Sequence, residues 1–419
     1  MAEQKKAWDT AYEWKAVTLL GLGFGLVGLD RWIIAPMLPN IMQDLHLNAQ
    51  DAGTIIGALG LSWGIFAIIM GGVSDKIGLR KVLIPAIIGF SLLSGLSGMA
   101  GSLMSLVLIR IVMGFTEGSF APTSFAATND ASHPSRLGIN QGLQQCGFAL
   151  FGLAFAPIIA TQLLQYMSWR WVFVMVAIPG LILGTLMFFV IREPLNRAAA
   201  AVANNPHAAP KGNWSEVLKS RNIMLSMAAL FCAMTGVFVL SGMLSIYLTA
   251  YLKLTLQQAG FVASAVGWGG FLGQFLWPGL SDKLGRRPTA VLGFAGAAIM
   301  LYFFRLQGAD TTMLFIFLFV AAFFTLGLVA LLTGPIATEA APIGLISSAI
   351  GLVVGSGEIS AGIAQVIAGW VAQNFGIQNI LYLPLGAVIL GILITFFLKE
   401  TAPKKVGMGA GKPVGVGAH

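Results

Sequence analysis

Twelve long apolar runs fix the solvent in which this chain of 419 residues can fold. A helix that crosses a bilayer needs about 20 mostly apolar residues. Runs of that kind lie at 16–38, 52–72, 82–101, 103–127, 138–164 and 170–191, and again at 223–250, 258–280, 288–306, 312–334, 346–373 and 379–398. Hydrophobic residues make up 57% of the chain and charged residues only 10%, whereas a soluble domain carries about 25% charged residues. Too few polar groups remain to cover a water-facing surface. In lipid every backbone N–H and C=O must find its partner within the protein, which a helix achieves by itself. The sequence therefore predicts an all-α membrane protein with 12 transmembrane helices.

Between the sixth and seventh runs lies the one long polar stretch, from Arg192 to Asn222, with Asn204, Pro206, Pro210 and Gly212 marking a linker. The expected organisation is a first six-helix half at 1–195, a linker at 196–222, a second half at 223–400, and a Gly-, Lys- and Pro-rich, disordered tail at 401–419. The first run is long enough to stay in the membrane, and no cleaved signal peptide is expected. Most of the 24 Lys and Arg residues fall on the side of the N-terminus, and Arg170, Lys253 and Arg305 fall on the other. That bias predicts cytoplasmic termini and a multi-pass protein of the cell inner membrane. It also explains the net charge of +8 as a topology signal and excludes a nucleic-acid partner. The cysteines, Cys146 and Cys232, sit in apolar runs as small core residues. The four histidines fall in loops or tails, and no phosphate-binding Gly-Lys loop, HExxH pair or nucleophile elbow is present. The reading is no enzyme, no metal and no cofactor.

The chain repeats itself. Ser74-Asp75-Lys76-Ile77-Gly78-Leu79-Arg80 follows the second run, and Ser281-Asp282-Lys283-Leu284-Gly285-Arg286-Arg287 follows the eighth, an offset of 207 residues. Two copies in register mark a duplicated architecture. Gly71-x-x-x-Asp75-Lys76-x-Gly78-x-Arg80 resembles the loop signature of the major facilitator superfamily, and the resemblance covers essentially the whole chain. Leu79 stands where a basic residue is often found, and Pro278 replaces the leading Gly of the second copy. The resemblance implies two pseudo-symmetric six-helix bundles, a central cavity at the bilayer midplane, and rocking of the bundles to give alternating access. Asp75, Arg80, Asp282 and Arg287 are expected to lock helices together at these loops, with Asp130 and Glu339 as gate or loop-locking residues at the ends of the fourth and tenth spans.

Five charged residues fall within spans, where an ionisable group is costly and marks a functional site. Asp30 and Arg31 lie in the first span, with Arg31 roughly 22 Å along the helix from its start. Arg110 and Glu117 share a face of the fourth span, about 10 Å apart and too far to pair directly. Glu358 lies in the eleventh. Arg110 followed by Gly114 and Gly118 resembles the superfamily's fourth-helix Arg-Gly pattern. The set Asp30, Arg31, Arg110 and Glu117 resembles the anion:cation symporter branch, which holds sialin-like carriers and bacterial sugar-acid and aromatic-acid uptake carriers. That resemblance implies proton-coupled uptake of a small organic anion. Arg31 would bind the substrate carboxylate, Asp30 and Glu117 would carry protons, and Arg110 would tune Glu117. A guanidinium offers a planar fork that matches a carboxylate.

Glu358 departs from the branch, which often has an uncharged polar residue there. It is expected in the cavity as a third proton site, a partner for Arg31 or Arg110, a ligand for a substrate donor, or a group bonded to a neighbouring Ser or Thr. Trp63, Gln144, Gln145 and Gln274 are the candidate cavity-lining groups. Trp32 and Trp63 favour an aromatic over a polyhydroxylated acid. The three acids against two arginines leave one negative charge, which one proton neutralises. The expected partners are the organic anion and the bilayer, and the expected state is a monomer. The alternative is a proton-driven drug or metabolite exporter. Such exporters usually carry a Gly-Pro pair in the fifth helix, where this chain has Gly152 and Pro157 five apart.

Overall fold

The computed structural model describes residues 8–133, 136–193, 214–342 and 346–402, with the backbone alone at 71, 72, 75, 76, 214 and 346–348. The expected tail beyond 402 and the linker up to 213 lie outside the described residues, and the linker's end forms a short helix, Trp214–Lys219. The spans are α1 Thr10–Asp44, α2 Ala49–Ile77, α3 Leu79–Ser97, α4 Leu103–Ala131, α5 Leu137–Leu163 and α6 Trp169–Val190. The second half has α7 Arg221–Tyr251, α8 Leu256–Leu284, α9 Arg286–Leu306, α10 Thr311–Ala340, α11 Ile346–Phe375 and α12 Ile377–Phe396.

Several helices overshoot their apolar runs, because backbone bonding continues into the polar interface until a cap ends it. The caps repeat as the loops do. Asn48 with Asp51 opens α2 and Thr255 with Gln258 opens α8, each as a reciprocal capping box. Gly78 and Gly285, at φ 108° and 105°, turn the chain between α2 and α3 and between α8 and α9, a conformation that only glycine adopts without strain. The helix α1 is broken at Ile33, just beyond Asp30 and Arg31. Pro36 explains the break, since its ring collides with the carbonyl four residues back, that of Trp32.

Packing follows the repeat. In the first half α4 packs on α2 and α3, and α3 on α6; in the second α10 packs on α8 and α9, and α9 on α12. The halves meet along two seams, α2 with α11 and α5 with α8. Both seams bring backbones into contact. A Cβ added to Gly57 would lie 2.7 Å from the Gly362 carbonyl oxygen, and one on Gly267 would lie 1.9 Å from the Ala154 nitrogen. These contacts occupy the ends of the bundles away from Thr10 and Phe396. Towards the Thr10 and Phe396 ends the seams part: Gly138 and Gly142 of α5, Gly279 of α8 and Gly351 of α11 have no atom within 4 Å of a built Cβ. The molecule is closed at one end, here the crown, and open at the other, the base.

Candidate functional site

Arg31 lies where the two bundles meet, in the last turn of α1 before its break at Ile33. Its Nη2 donates to Glu358 Oε2 of α11 at 2.7 Å, an ion pair whose side chains are 3% and 11% exposed. Glycines on α2 permit the approach. A Cβ on Gly64 would stand 3.1 Å from the Glu358 Cβ, and one on Gly60 would stand 3.6 Å from Arg31 Nη2. Aromatic rings surround the guanidinium, with the Phe238, Trp63 and Trp32 centroids 4.7, 5.5 and 5.6 Å from its carbon. Such faces attract a cation without satisfying its N–H groups. Arg31 Nη1, Trp32 Nε1 and Trp63 Nε1 have no hydrogen-bond partner among the described residues.

Beside this pair lie Asp30, Arg110 and Glu117, all buried. Arg110 Nη1 donates to the Asp30 carbonyl oxygen at 3.3 Å, and its guanidinium carbon lies 5.5 Å from the Phe173 ring centroid. The Asp30 carboxyl faces Ser94 and Arg110, and Glu117 lies within electrostatic reach of Arg31, Asp30, Arg110 and Glu358. Neither carboxyl has a hydrogen-bond partner among the described residues. The glycines that follow Arg110 seat α4 on α2. A Cβ on Gly114 would lie 2.7 Å from the Leu59 carbonyl, and one on Gly118 would lie 2.6 Å from that of Trp63. The structure thus gathers all five intramembrane charges from α1, α4 and α11. Buried polar atoms without partners are rare and cost roughly 1–3 kcal/mol each in proteins. Their concentration here marks a site built for something besides stability.

The other expected lining groups divide. Gln144 donates Nε2 to Ser124 Oγ at 2.8 Å and accepts from Thr128 Oγ1 at 2.5 Å, so it ties α5 to α4 inside the first bundle. Gln145 is half-buried on α5. Gln274 is half-buried on α8, two turns from Gly267 and on the face that meets α5, with its Oε1 unpartnered. A further amide, Gln365, donates Nε2 to the Phe238 carbonyl and so holds α11 against α7 beside the ring under Arg31.

At the base Asp282 pairs with Arg286 at 2.6 Å, and Arg286 also pairs with Glu339 at 2.7 Å. The turn at Gly285 points the first side chain of α9 back at α8 and leaves Arg287 exposed, with its backbone N–H on Glu400 at 3.2 Å. The Asp75 side chain lies outside the described residues. Arg80 donates Nη2 to the Phe188 carbonyl, with the Phe188 ring centroid 4.9 Å from its guanidinium carbon. Asp130 is half-buried at the base end of α4.

Three base carboxylates escape the sequence reading. Glu193 accepts from the Leu79 and Arg80 backbone N–H groups at 2.8 and 2.9 Å, and Glu400 accepts from the Arg286 N–H at 2.7 Å. The two are 207 residues apart, so extending the repeat offset to the end of each half finds them. Burial pushes the Glu400 carboxyl up, but N–H donors at Ala402, Arg286, Arg287 and Thr401 outweigh it and hold the group below the usual glutamate range. The third is Glu13, fully buried, which accepts from Arg136 Nη2 at 2.5 Å, Trp8 Nε1 at 2.9 Å, and His133 N and Asn140 Nδ2 at 3.0 Å each.

Twelve spanning helices in two bundles, with a charged cluster buried where they meet, define a multi-pass membrane transporter and not an enzyme. The family model described as Major Facilitator Superfamily matches residues 20–247 and 226–416, and the chain belongs to that family. It resembles the sugar-acid branch. It is 28% identical over 80% of its length to a probable 4-methylmuconolactone transporter of Cupriavidus pinatubonensis, covering 76% of that protein. It is 24% identical over 90% of its length to the D-galactonate transporter of Escherichia coli O6:H1, covering 93% of it. The fold matches a bacterial homologue of the human lysosomal transporter Spinster in its inward-facing, occupied conformation, at TM-score 0.78 and 17% identity over 92% of this chain and 96% of that one.

Proposed function

We propose that this protein is a proton-coupled importer of a small organic carboxylate, working as a monomer by alternating access. The observation that carries the reading is the Arg31 guanidinium, set between the bundles with one terminal nitrogen unpartnered and three aromatic rings around it. A carboxylate on that fork makes charge-assisted hydrogen bonds, and its apolar or ring portion lies against Trp63 and Phe238. Asp30 and Glu117, without donors, are the groups that carry protons. The acids exceed the arginines by one, so one proton entering with the anion offsets part of the charge brought into a dry site. Relatives named for galactonate and methylmuconolactone transport support an acid as substrate. The basic bias at the base supports a base that faces the cytoplasm across the cell inner membrane, and the open base then corresponds to an inward-facing state.

The test is uptake into proteoliposomes of a panel of D-galactonate, a hexuronate, 4-methylmuconolactone and benzoate, with and without an inside-alkaline pH gradient. At least one acid is expected to accumulate only with the gradient, and Arg31→Ala is expected to lower that uptake at least 100-fold, about the 3 kcal/mol of a charge-assisted contact. Unchanged gradient-driven uptake by Arg31→Ala would sink the site assignment.

A further inference from the structure

A serine buried in a helix ordinarily hides its hydroxyl by donating to the carbonyl three or four residues back. This chain follows the rule at Ser97 of α3, Ser119 and Ser124 of α4, and Ser264 and Ser281 of α8. They donate to the carbonyls of Leu93, Phe115, Ala121, Phe261 and Pro278 at 2.6–2.9 Å. Among the described residues three serine hydroxyls sealed from solvent have no partner, those of Ser91 and Ser94 on α3 and of Ser226 on α7. Ser91 is pressed against the backbone of α6, where a Cβ built on Gly180 would lie 1.9 Å from its Oγ. Ser94, one turn further along the same face, stands within hydrogen-bonding reach of the Asp30 carboxyl. Both groups are fully buried, and both Asp30 oxygens are unpartnered as well. The bond between them is poised and not closed. Arg110 does not replace it, because its Nη1 goes to the Asp30 backbone carbonyl. A guanidinium only donates, so a direct pair would hold Asp30 ionised, and a wholly apolar wall would hold it protonated. A hydroxyl donates and accepts, and so bonds a carboxyl in either form.

We propose that Ser94 is the positioning residue for the proton on Asp30: its hydroxyl donates to an Asp30 oxygen when the carboxylate is charged and accepts from the Asp30 hydroxyl when it is protonated. The inference rests on the reading that Asp30 carries a proton. That proton comes from water and returns to water, and Ser94 gives up none. In the protonated state Ser94 turns its own hydrogen to the Phe90 carbonyl four residues back, as the other buried serines do. A bond is kept in both states, so neither form of Asp30 is stranded in the dry bundle. The charged groups facing Asp30 are Arg110 and Glu117 from α4 and its neighbour Arg31, which is paired with Glu358 of α11. The remaining helices packed against α1 carry no charged residue away from their ends.

The test is an infrared titration of the full protein in lipid, where a buried protonated carboxyl shows its own C=O stretch, lowered in frequency when the acid group is hydrogen-bonded. A band that grows as pH falls and is missing in Asp30→Asn belongs to the Asp30 acid. In Ser94→Ala that band is expected at higher frequency, with its midpoint raised by about one pH unit, since the charged form loses the stronger bond. Ser94→Thr keeps a hydroxyl and is expected to restore both values. Ser97→Ala removes a back-bonded hydroxyl from the same helix and is expected to change neither. In proteoliposomes Ser94→Ala is expected to move the half-maximal pH of uptake upwards by about the same unit, and to leave the KM of the accumulated panel acid at low pH unchanged. An Asp30 band that ignores Ser94→Ala overturns the proposal and leaves the reading of Asp30 standing. If no titrating band depends on Asp30, both fall together. If Ser94→Ala does not fold, a parent Asp30 band at the frequency of an unbonded acid overturns the proposal by itself.

Discussion

The bases of the two halves carry the same cap and different locks. In both, a glutamate at the end of the sixth helix of the half caps the N-terminus of the third, Glu193 on Leu79 and Arg80, and Glu400 on Arg286 and Arg287. A carboxylate on free N–H groups at a helix start is favoured by the helix dipole wherever it occurs. The lock beside it has diverged. The second half clamps Arg286 between Asp282 and Glu339, and Thr401 adds a hydrogen bond to Glu339 at 2.7 Å. In the first half the position of Arg286 is taken by Leu79, 2% exposed, and no guanidinium stands there. Its cohesion comes from Glu13, which ties the start of α1 to Arg136, Asn140 and the His133 backbone of the turn between α4 and α5. Duplication preserves what the backbone requires and leaves free which side chains brace it. Both arrangements brace a bundle at the end where the seams part.

The largest effect is expected where one acceptor serves most donors. Glu13→Ala removes the acceptor shared by Arg136, the His133 N–H and the buried Asn140 amide, which keeps its bond to Ser132, while Arg136, 36% exposed, recovers part of its hydration. A loss of about 3 kcal/mol is expected, read as a fall in the thermal unfolding midpoint in detergent. Arg286→Leu copies the first half into the second. It strands Glu339, 13% exposed, and a loss of about 2 kcal/mol is expected. A variant as stable as the parent would show that the clamp is dispensable and the halves are braced alike. The caps give the smallest and most equal effects: Glu193→Gln and Glu400→Gln should each cost about 1 kcal/mol. For Glu400 the lowered value sets the sign. Its contribution is complete above the ordinary glutamate value of about 4.3 and disappears as pH falls through its own lower one. The stability gap between parent and Glu400→Gln should therefore close in acid and stay constant from about pH 6 upwards, and a gap that widens in acid contradicts the capping role.

Much of the molecule was legible in residue order alone. Twelve spans follow from the length of apolar runs, and the duplicated halves from an offset of 207 that also carries the capping boxes at Asn48 and Thr255. Asp30, Arg31, Arg110 and Glu117 announce themselves because a charge in a span is expensive without a use. Gln144 does not sort this way, since a buried amide reads the same whether it faces a cavity or, as here, bonds Ser124 and Thr128. The partner of Asp282 does not sort this way either, since a one-residue shift at a tight glycine turn reverses which side chain points back.

Sequence by itself determined the solvent, the number of crossings, the duplication and the list of buried charges, since each depends on residue type and spacing along one chain. The tertiary structure decided which charges meet. Arg31 and Glu358 are 327 positions apart and belong to different halves. Their pairing depends on how closely α11 approaches α2 at Gly60 and Gly64. A contact between bundles is set by the fit of two surfaces, and no periodicity within either helix encodes it.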